Sequence, residues 1–192
     1  AFPLKYIHLA ATTGLAHLPN IKGNVAKVGK GLYGLVRSDL GTLSPYGRGR
    51  TPPRGGVGEG LRPVLEMRTK ITSVKKIPAG ASVGYGMTFK SKKAMTIGLL
   101  PVGYFEGVDR RLSNIGVVKY KDKFCPILGR VSMNITTIDL SEVTNPRAGD
   151  EVILISAERE DPNSVENLAK LCNTIALDFV VHIPAHLRRV VI

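Results

Sequence analysis

The chain has 192 residues, 43% of them hydrophobic, enough to bury one sizeable core or one core plus a fragment of another. It holds no apolar run long enough to cross a bilayer as a helix and no charged-then-apolar leader, so the expectation is a soluble, cytoplasmic protein. The net charge of +12 would suit a polyanionic partner, but residues 1–62 carry nine Lys/Arg against two Asp/Glu and residues 63–192 carry eighteen against thirteen. Much of the excess therefore gathers near one Gly/Pro-rich segment instead of forming a stripe. Aromatic residues rarely interleave with it, as a base-stacking surface would need, so nucleic acid is not the expected partner. Cys125 and Cys172 lack metal-binding or disulfide-framework spacing and read as two isolated buried thiols.

Three zones follow one another. In residues 1–36, Leu4 to Ala10 is a short strand-like run, Thr12-Thr13-Gly14 a turn, and Gly31 to Leu35 a second glycine-bounded apolar run. Two short strands cannot make a domain, and the first begins almost at the first residue, so this zone reads as the end of a larger sheet or barrel. Residues 37–62 include Ser44-Pro45-Tyr46-Gly47-Arg48-Gly49-Arg50-Thr51-Pro52-Pro53-Arg54, a composition that cannot build a core and reads as a linker.

Residues 63–192 alternate strand-like runs with turn signals: Val64 to Ile77, Ala94 to Val102, Gly116 to Tyr120, Arg130 to Leu140 and Glu151 to Ser156. That spacing predicts an antiparallel β-barrel or sandwich. Pro78-Ala79-Gly80 and Pro146 to Asp150 are turns. Ser164 caps a predicted helix running through Asn173, with Val165, Leu168, Ala169 and Cys172 on one face. A second short helix from Thr174 and a closing strand, Leu187 to Ile192, are expected after it.

Three segments carry chemistry. Gly84-Tyr85-Gly86 sets a tyrosine between two residues that allow a sharp bend and close approach of another surface. A phenol so displayed can act as acid or base, although a base near neutrality needs cations beside it. The bland reading is a turn tyrosine half-buried against the core. Gly103-Tyr104-Phe105-Glu106-Gly107 with Asp109-Arg110-Arg111-Leu112-Ser113-Asn114 forms a loop rich in hydrogen-bonding groups, whose bland reading is a solvated loop with a weak Asp-Arg pair. Gly129-Arg130-Val131-Ser132-Met133-Asn134 precedes an alternating strand, where a methionine is ordinarily core filling.

In this order and spacing, these segments together with Arg62-Pro63-Val64-Leu65, Pro101-Val102-Gly103-Tyr104 and Gly149-Asp150-Glu151-Val152 resemble the C-terminal domain of alanine racemases, over nearly all of 63–192. Upstream, His8 to Gly14 and Lys27 to Leu35 resemble the final strands of that family's pyridoxal-phosphate (PLP) barrel. The implied fold is mainly β: a C-terminal antiparallel β-barrel-like domain with short helices over 63–192, preceded by a linker (37–62) and the remnant of an α/β, TIM-type barrel (1–36). The implied activity is interconversion of L- and D-alanine, which supplies D-alanine for peptidoglycan.

The resemblance assigns roles position by position. Tyr85 matches the tyrosine that works on one face of the substrate Cα, opposite a PLP-bearing lysine. Tyr104 and Met133 match residues around the substrate carboxylate. All three are donated across a homodimer. Thr12, Gly29 and Lys30 match the phosphate cradle, and His8 and Lys27 the pair beside the pyridine nitrogen. The lysine lies upstream of the matched part in the family, so the chain reads as the C-terminal part of the enzyme, inactive without its own barrel domain and a second subunit.

Some positions depart from the pattern. Lys27 replaces an arginine, Thr12 a serine, Asn134 an aspartate, Leu177 a tyrosine that touches the phosphate, and Asp178 a glutamate. They leave open a racemase of another amino acid such as serine, or a non-catalytic basic β-barrel module.

Overall fold

The computed structural model describes residues 8–11, 25–27, 33 and 63–191. The chain divides into two units, Ala1–Val64 and Leu65–Ile192. In the first, β1 (His8–Ala11) and β2 (Val25–Lys27) pair in parallel, with His8 opposite Val25 and Ala11 opposite Lys27. Parallel neighbours need a crossover connection, which is the arrangement expected of an α/β barrel. β1 covers the end of the predicted Leu4 to Ala10 run; residues 4–7, most of the Gly31 to Leu35 run and the 37–62 linker lie outside the described residues.

In the second unit every strand pair is antiparallel. β3 (Met67–Lys70), β4 (Ser73–Ile77), β5 (Ser82–Val83), β6 (Phe89–Lys90) and β7 (Met95–Leu100) are followed by β8 (Val117–Tyr120), β9 (Lys123–Pro126), β10 (Thr136–Asp139) and β11 (Glu151–Ile155). They form a four-stranded sheet in the order β3-β11-β8-β9, a three-stranded sheet in the order β10-β7-β4, and the hairpin β5-β6.

Two corners join the larger sheets. At the first, Ile71 exchanges hydrogen bonds with the Gly149-Asp150 backbone (2.7 and 2.8 Å), while the next residue, Thr72, donates to Leu99 O at 2.8 Å. The predicted Val64 to Ile77 run is thus two strands, bent where the chain changes sheets. At the second, Ile127 N donates to Gly116 O and Leu128 N to Thr137 O, both at 2.8 Å. Crossing at both seams gives barrel-like closure, which pairs sheet edges that would otherwise stay open.

Ile71, Leu100, Val118, Ile138, Leu140 and Val152 fill the interior. A smaller apolar cluster of Val83, Met95, Ile97 and Leu128, with Ile77 and Phe89 against it, seats the β5-β6 hairpin. Helix α1 (Val165–Leu171) is capped by Ser164, whose Oγ accepts from Asn167 N, and buries Val165, Leu168 and Ala169 at the predicted spacing. Helix α2 (Ala176–Val181) buries Phe179 and Val180. Both cysteines are buried and free, and burial pushes the Cys125 thiol up to about 11.

Two expectations are corrected. Residues 187–191 form no strand: Arg188 and Arg189 are exposed and Val191 is 99% exposed, and among the described residues no neighbouring strand supplies this run with a ladder. The Arg130 to Leu140 run contracts to Thr136–Asp139, because the backbone of its first part is engaged by two loops instead of a sheet.

Candidate active site

The segment 129–133 is the spine of the candidate site, and one loop presses on each end of it. Gly84 and Gly129 cross so closely that a Cβ on Gly84 would stand 2.8 Å from Arg130 N, and one on Gly129 would stand 2.6 Å from Val83 O. Only glycines permit this approach, and both have positive φ (79° and 73°). At the other end, a Cβ on Gly103 would stand 2.0 Å from Ser132 O. There Tyr104 N donates to Ser132 O at 3.0 Å and Phe105 N to Met133 O at 2.8 Å.

This architecture brings Tyr85, Tyr104 and Met133 onto one connected framework. Tyr85 opens a short 3-10 turn, Tyr85–Met87, between β5 and β6. Within it Gly86 (φ 73°) and Met87 (φ 50°) are both left-handed, an uncommon and costly state for a methionine. Tyr85 is 74% exposed, Met133 50% and Tyr104 48%. The hydroxyls of Tyr85 and Tyr104 have no hydrogen-bond partner among the described residues. The core-filling reading of Met133 and the half-buried reading of Tyr85 are therefore both set aside. These side chains are displayed by a tightly held backbone.

Several supporting residues escaped the sequence reading. Glu106 Oε2 accepts from Gly103 N at 2.7 Å and so closes the turn that carries Tyr104. Ser113 Oγ accepts from Val131 N at 3.0 Å, and Asn114 Oδ1 accepts from Gly129 N at 2.7 Å. Polar residues in a glycine-bounded loop were the available signal; their partners, fifteen and eighteen residues away, were not.

Arg111 also does more than the solvated-loop reading allowed. Its guanidinium grips Asp109 (Nη2 to Oδ2, 2.5 Å) and reaches Asp178 on α2 at 2.6 Å. Thr174 Oγ1 adds a 2.9 Å bond to the same Asp178 oxygen. Hydrogen bonds from Arg111 and then Thr174 hold the Asp178 carboxyl below the usual range. For Asp109, burial alone would raise the carboxyl, but its bonds from Arg111 prevail and hold it low. The network ties the loop after Tyr104 to α2, beside Leu177.

Of the predicted cofactor residues, His8 lies on β1 and Lys27 on the adjacent β2, two register positions apart. Thr12, Gly29 and Lys30 lie outside the described residues. The parallel strands end on the same side, and Thr12 follows β1 directly while Gly29 and Lys30 come shortly after β2. In α/β barrels phosphates bind at the C-terminal ends of parallel strands, so the described parallel pair β1-β2, with His8 and Lys27 on it, fits a phosphate-bearing cofactor such as PLP. Among the described residues no cluster of His, Cys, Asp or Glu could hold a metal ion, and no helix is long and apolar enough to cross a membrane.

Comparison with known proteins bears on the family and the fold. The sequence model described as alanine racemase, C-terminal domain, matches residues 64–191. The alanine racemase of Syntrophobacter fumaroxidans is 36% identical over 171 residues, covering 89% of this chain and 42% of that protein. Alanine racemase 1 of Caldanaerobacter subterraneus subsp. tengcongensis is 38% identical over 130 residues, 68% of this chain and 34% of that protein. The crystal structure of alanine racemase from Streptomyces lavendulae superposes with a TM-score of 0.78 at 30% identity, covering 95% of this chain and 44% of that one. The Bartonella henselae alanine racemase, described with covalently bound pyridoxal phosphate, shares the fold (TM-score 0.76, 24% identity, 98% and 47% covered). The chain spans less than half the length of these relatives.

Proposed function

Because the chain belongs to the alanine racemase family through its C-terminal domain, we propose that it is the C-terminal part of a PLP-dependent enzyme that interconverts L- and D-alanine. The observation that carries this reading is the Tyr85 turn: an exposed side chain whose hydroxyl has no partner among the described residues, on a strained backbone locked by the Gly84-Gly129 crossing. Such a group is held in place yet free to exchange a proton with something outside its own domain.

Racemisation removes a proton from one face of Cα and returns one to the other. Tyr85 Oη moves the proton on its face; a lysine upstream of this chain serves the opposite one. PLP, when bound, takes up the electron pair left at Cα. Thr12, Gly29 and Lys30 would hold its phosphate, and His8 and Lys27 would stand beside its pyridine nitrogen. Tyr104 and Met133 frame the substrate carboxylate. Their exposure within one chain suits donation to the barrel of a second copy, so the working unit is a homodimer. Residues 1–36 are the end of that barrel and 37–62 the linker. The enzyme is cytoplasmic and supplies D-alanine for peptidoglycan. The identity of the relatives as alanine racemases supports alanine over serine as substrate, and the family match disfavours a non-catalytic basic module.

The test is Tyr85→Phe in the PLP-loaded protein that carries this chain. Racemisation is expected to fall by about 10²–10⁴-fold, while exchange of the Cα proton with solvent persists for one enantiomer only. Unchanged racemisation would overturn the assignment.

A further inference from the structure

The Tyr85 turn is strained, and strain persists only where neighbouring contacts hold it. One contact is the Gly84-Gly129 crossing. The second comes from Asn114. Its amide Oδ1 accepts from Gly129 N at 2.7 Å, and its Nδ2 donates to Thr88 Oγ1 at 3.4 Å. Thr88 directly follows the left-handed Met87. One side chain therefore clasps both partners of the crossing, the spine through Gly129 and the turn through Thr88.

The backbone of Asn114 explains why this residue type stands there. It closes a turn in which Ile115 N and Gly116 N both donate to Leu112 O (3.1 and 2.8 Å), and its φ of 62° is left-handed. Asparagine tolerates that region better than most residues, and glycine better still. Glycine would lack the clasp, however. Gly129 is buried, and its N–H finds its acceptor in the Asn114 amide. The adjoining Ser113 Oγ takes Val131 N, two residues along the spine, so the Ser113-Asn114 pair sets the register of the whole segment that ends at Met133.

We infer that Asn114 is a positioning residue for Tyr85: through Gly129 and Thr88 it fixes where the Tyr85 hydroxyl stands, without touching substrate or cofactor. The inference rests on the acid/base role proposed for Tyr85. It separates what asparagine does for the loop fold, which glycine can replace, from what its amide does for the tyrosine, which glycine cannot.

Three variants test this in the PLP-loaded protein that carries the chain, with Tyr85→Phe alongside. Asn114→Gly keeps the left-handed backbone and loses the clasp. It should lower kcat by about ten- to a hundredfold, as a displacement of about 1 Å does, with KM nearly unchanged. The deuterium isotope effect at Cα should rise only for the enantiomer deprotonated on the tyrosine face. Asn114→Asp keeps the acceptor for Gly129 N and should recover most of the loss. Thr88→Val should reproduce part of it and add little on top of Asn114→Gly. Amide hydrogen exchange in the 192-residue chain gives a readout independent of activity: the Gly129 N–H should exchange slowly in the parent and in Asn114→Asp, and fast in Asn114→Gly. If Asn114→Gly leaves kcat or Gly129 exchange unchanged, or raises the isotope effect equally for both enantiomers, the positioning role is wrong while the Tyr85 reading stands. If Tyr85→Phe is silent, the acid/base reading falls and takes this role with it.

Discussion

Two regions of the C-terminal unit use their polar groups in opposite ways. Where the 84–88, 103–107 and 129–133 segments meet, backbone groups are paired to one another or to Glu106, Ser113 and Asn114, while the side chains of Tyr85, Tyr104 and Met133 project outward. Around β8, β11 and α1 the side chains themselves are committed. Tyr120, 2% exposed, donates to Asp150 Oδ2 at 2.7 Å, and that oxygen also accepts from Arg147 N. Lys119 Nζ and Ser156 Oγ both reach Asp161 Oδ2, at 2.7 and 2.6 Å. Burial alone would raise the Asp161 carboxyl, but the bonds from Lys119 and Ser156 outweigh it and hold it low. A region that displays side chains must be secured through its backbone, whereas a region that only holds the fold can spend its side chains on itself.

The contrast makes graded predictions for stability. Leu168→Ala, in the committed region, should cost most, about 2–5 kcal/mol in urea unfolding, because Leu168 is fully buried on α1. A much smaller loss would mean that α1 is peripheral to the core. Gly103→Ala in the displaying region should cost about 1–3 kcal/mol, since the new Cβ collides with Ser132 O and the two segments must part. On the proposed function, racemase activity of the PLP-loaded protein should fall with it, and full activity would show that Tyr104 and Met133 need no fixed separation.

Tyr120→Phe should cost about 1 kcal/mol at neutral pH by deleting one hydrogen bond. It also has a pH signature. The bond to Asp150, then burial, push the Tyr120 phenol up to about 12. Above about pH 10 the unfolded chain gives up this proton while the folded chain retains it, so stability falls as pH rises through that window. The variant should flatten that alkaline slope, and an unaltered slope would assign it to other groups. Tyr85→Phe should change stability least, by less than about 0.5 kcal/mol, in contrast to the large loss of racemisation that the proposed acid/base role predicts. A large loss of stability would place Tyr85 among the groups that hold the fold.

Much of this division could be read from residue order. Gly84-Tyr85-Gly86 announced a bend open to close approach and Gly103 to Asn114 a polar loop, whereas Gly129 to Met133 read only as the lead-in to a strand; the structure brings all three together on one spine. The helix over Val165–Leu171 followed from its cap and its spacing. Less legible were β5, β6 and β9, which are too short or too polar for alternation to mark. The Leu187 to Ile192 run showed the converse: strand propensity, but no strand partner for residues 187–191 among the described residues. Arg111 gave no hint of Asp178, sixty-seven residues on.

What the sequence determined by itself was local: where the chain bends, which residues are glycine so that two backbones can cross, and which tyrosines stand beside those bends. Backbone freedom and side-chain periodicity belong to single residues and their neighbours, so they survive in the order of letters. What only the tertiary structure decided was partnership: that Ile71 and Thr72 serve different sheets, that Arg111 reaches α2, and that Asn114 clasps Gly129 to Thr88. A hydrogen bond needs its two atoms within about 3 Å along a narrow direction, and for residues far apart in the chain that geometry exists only once the sheets have closed.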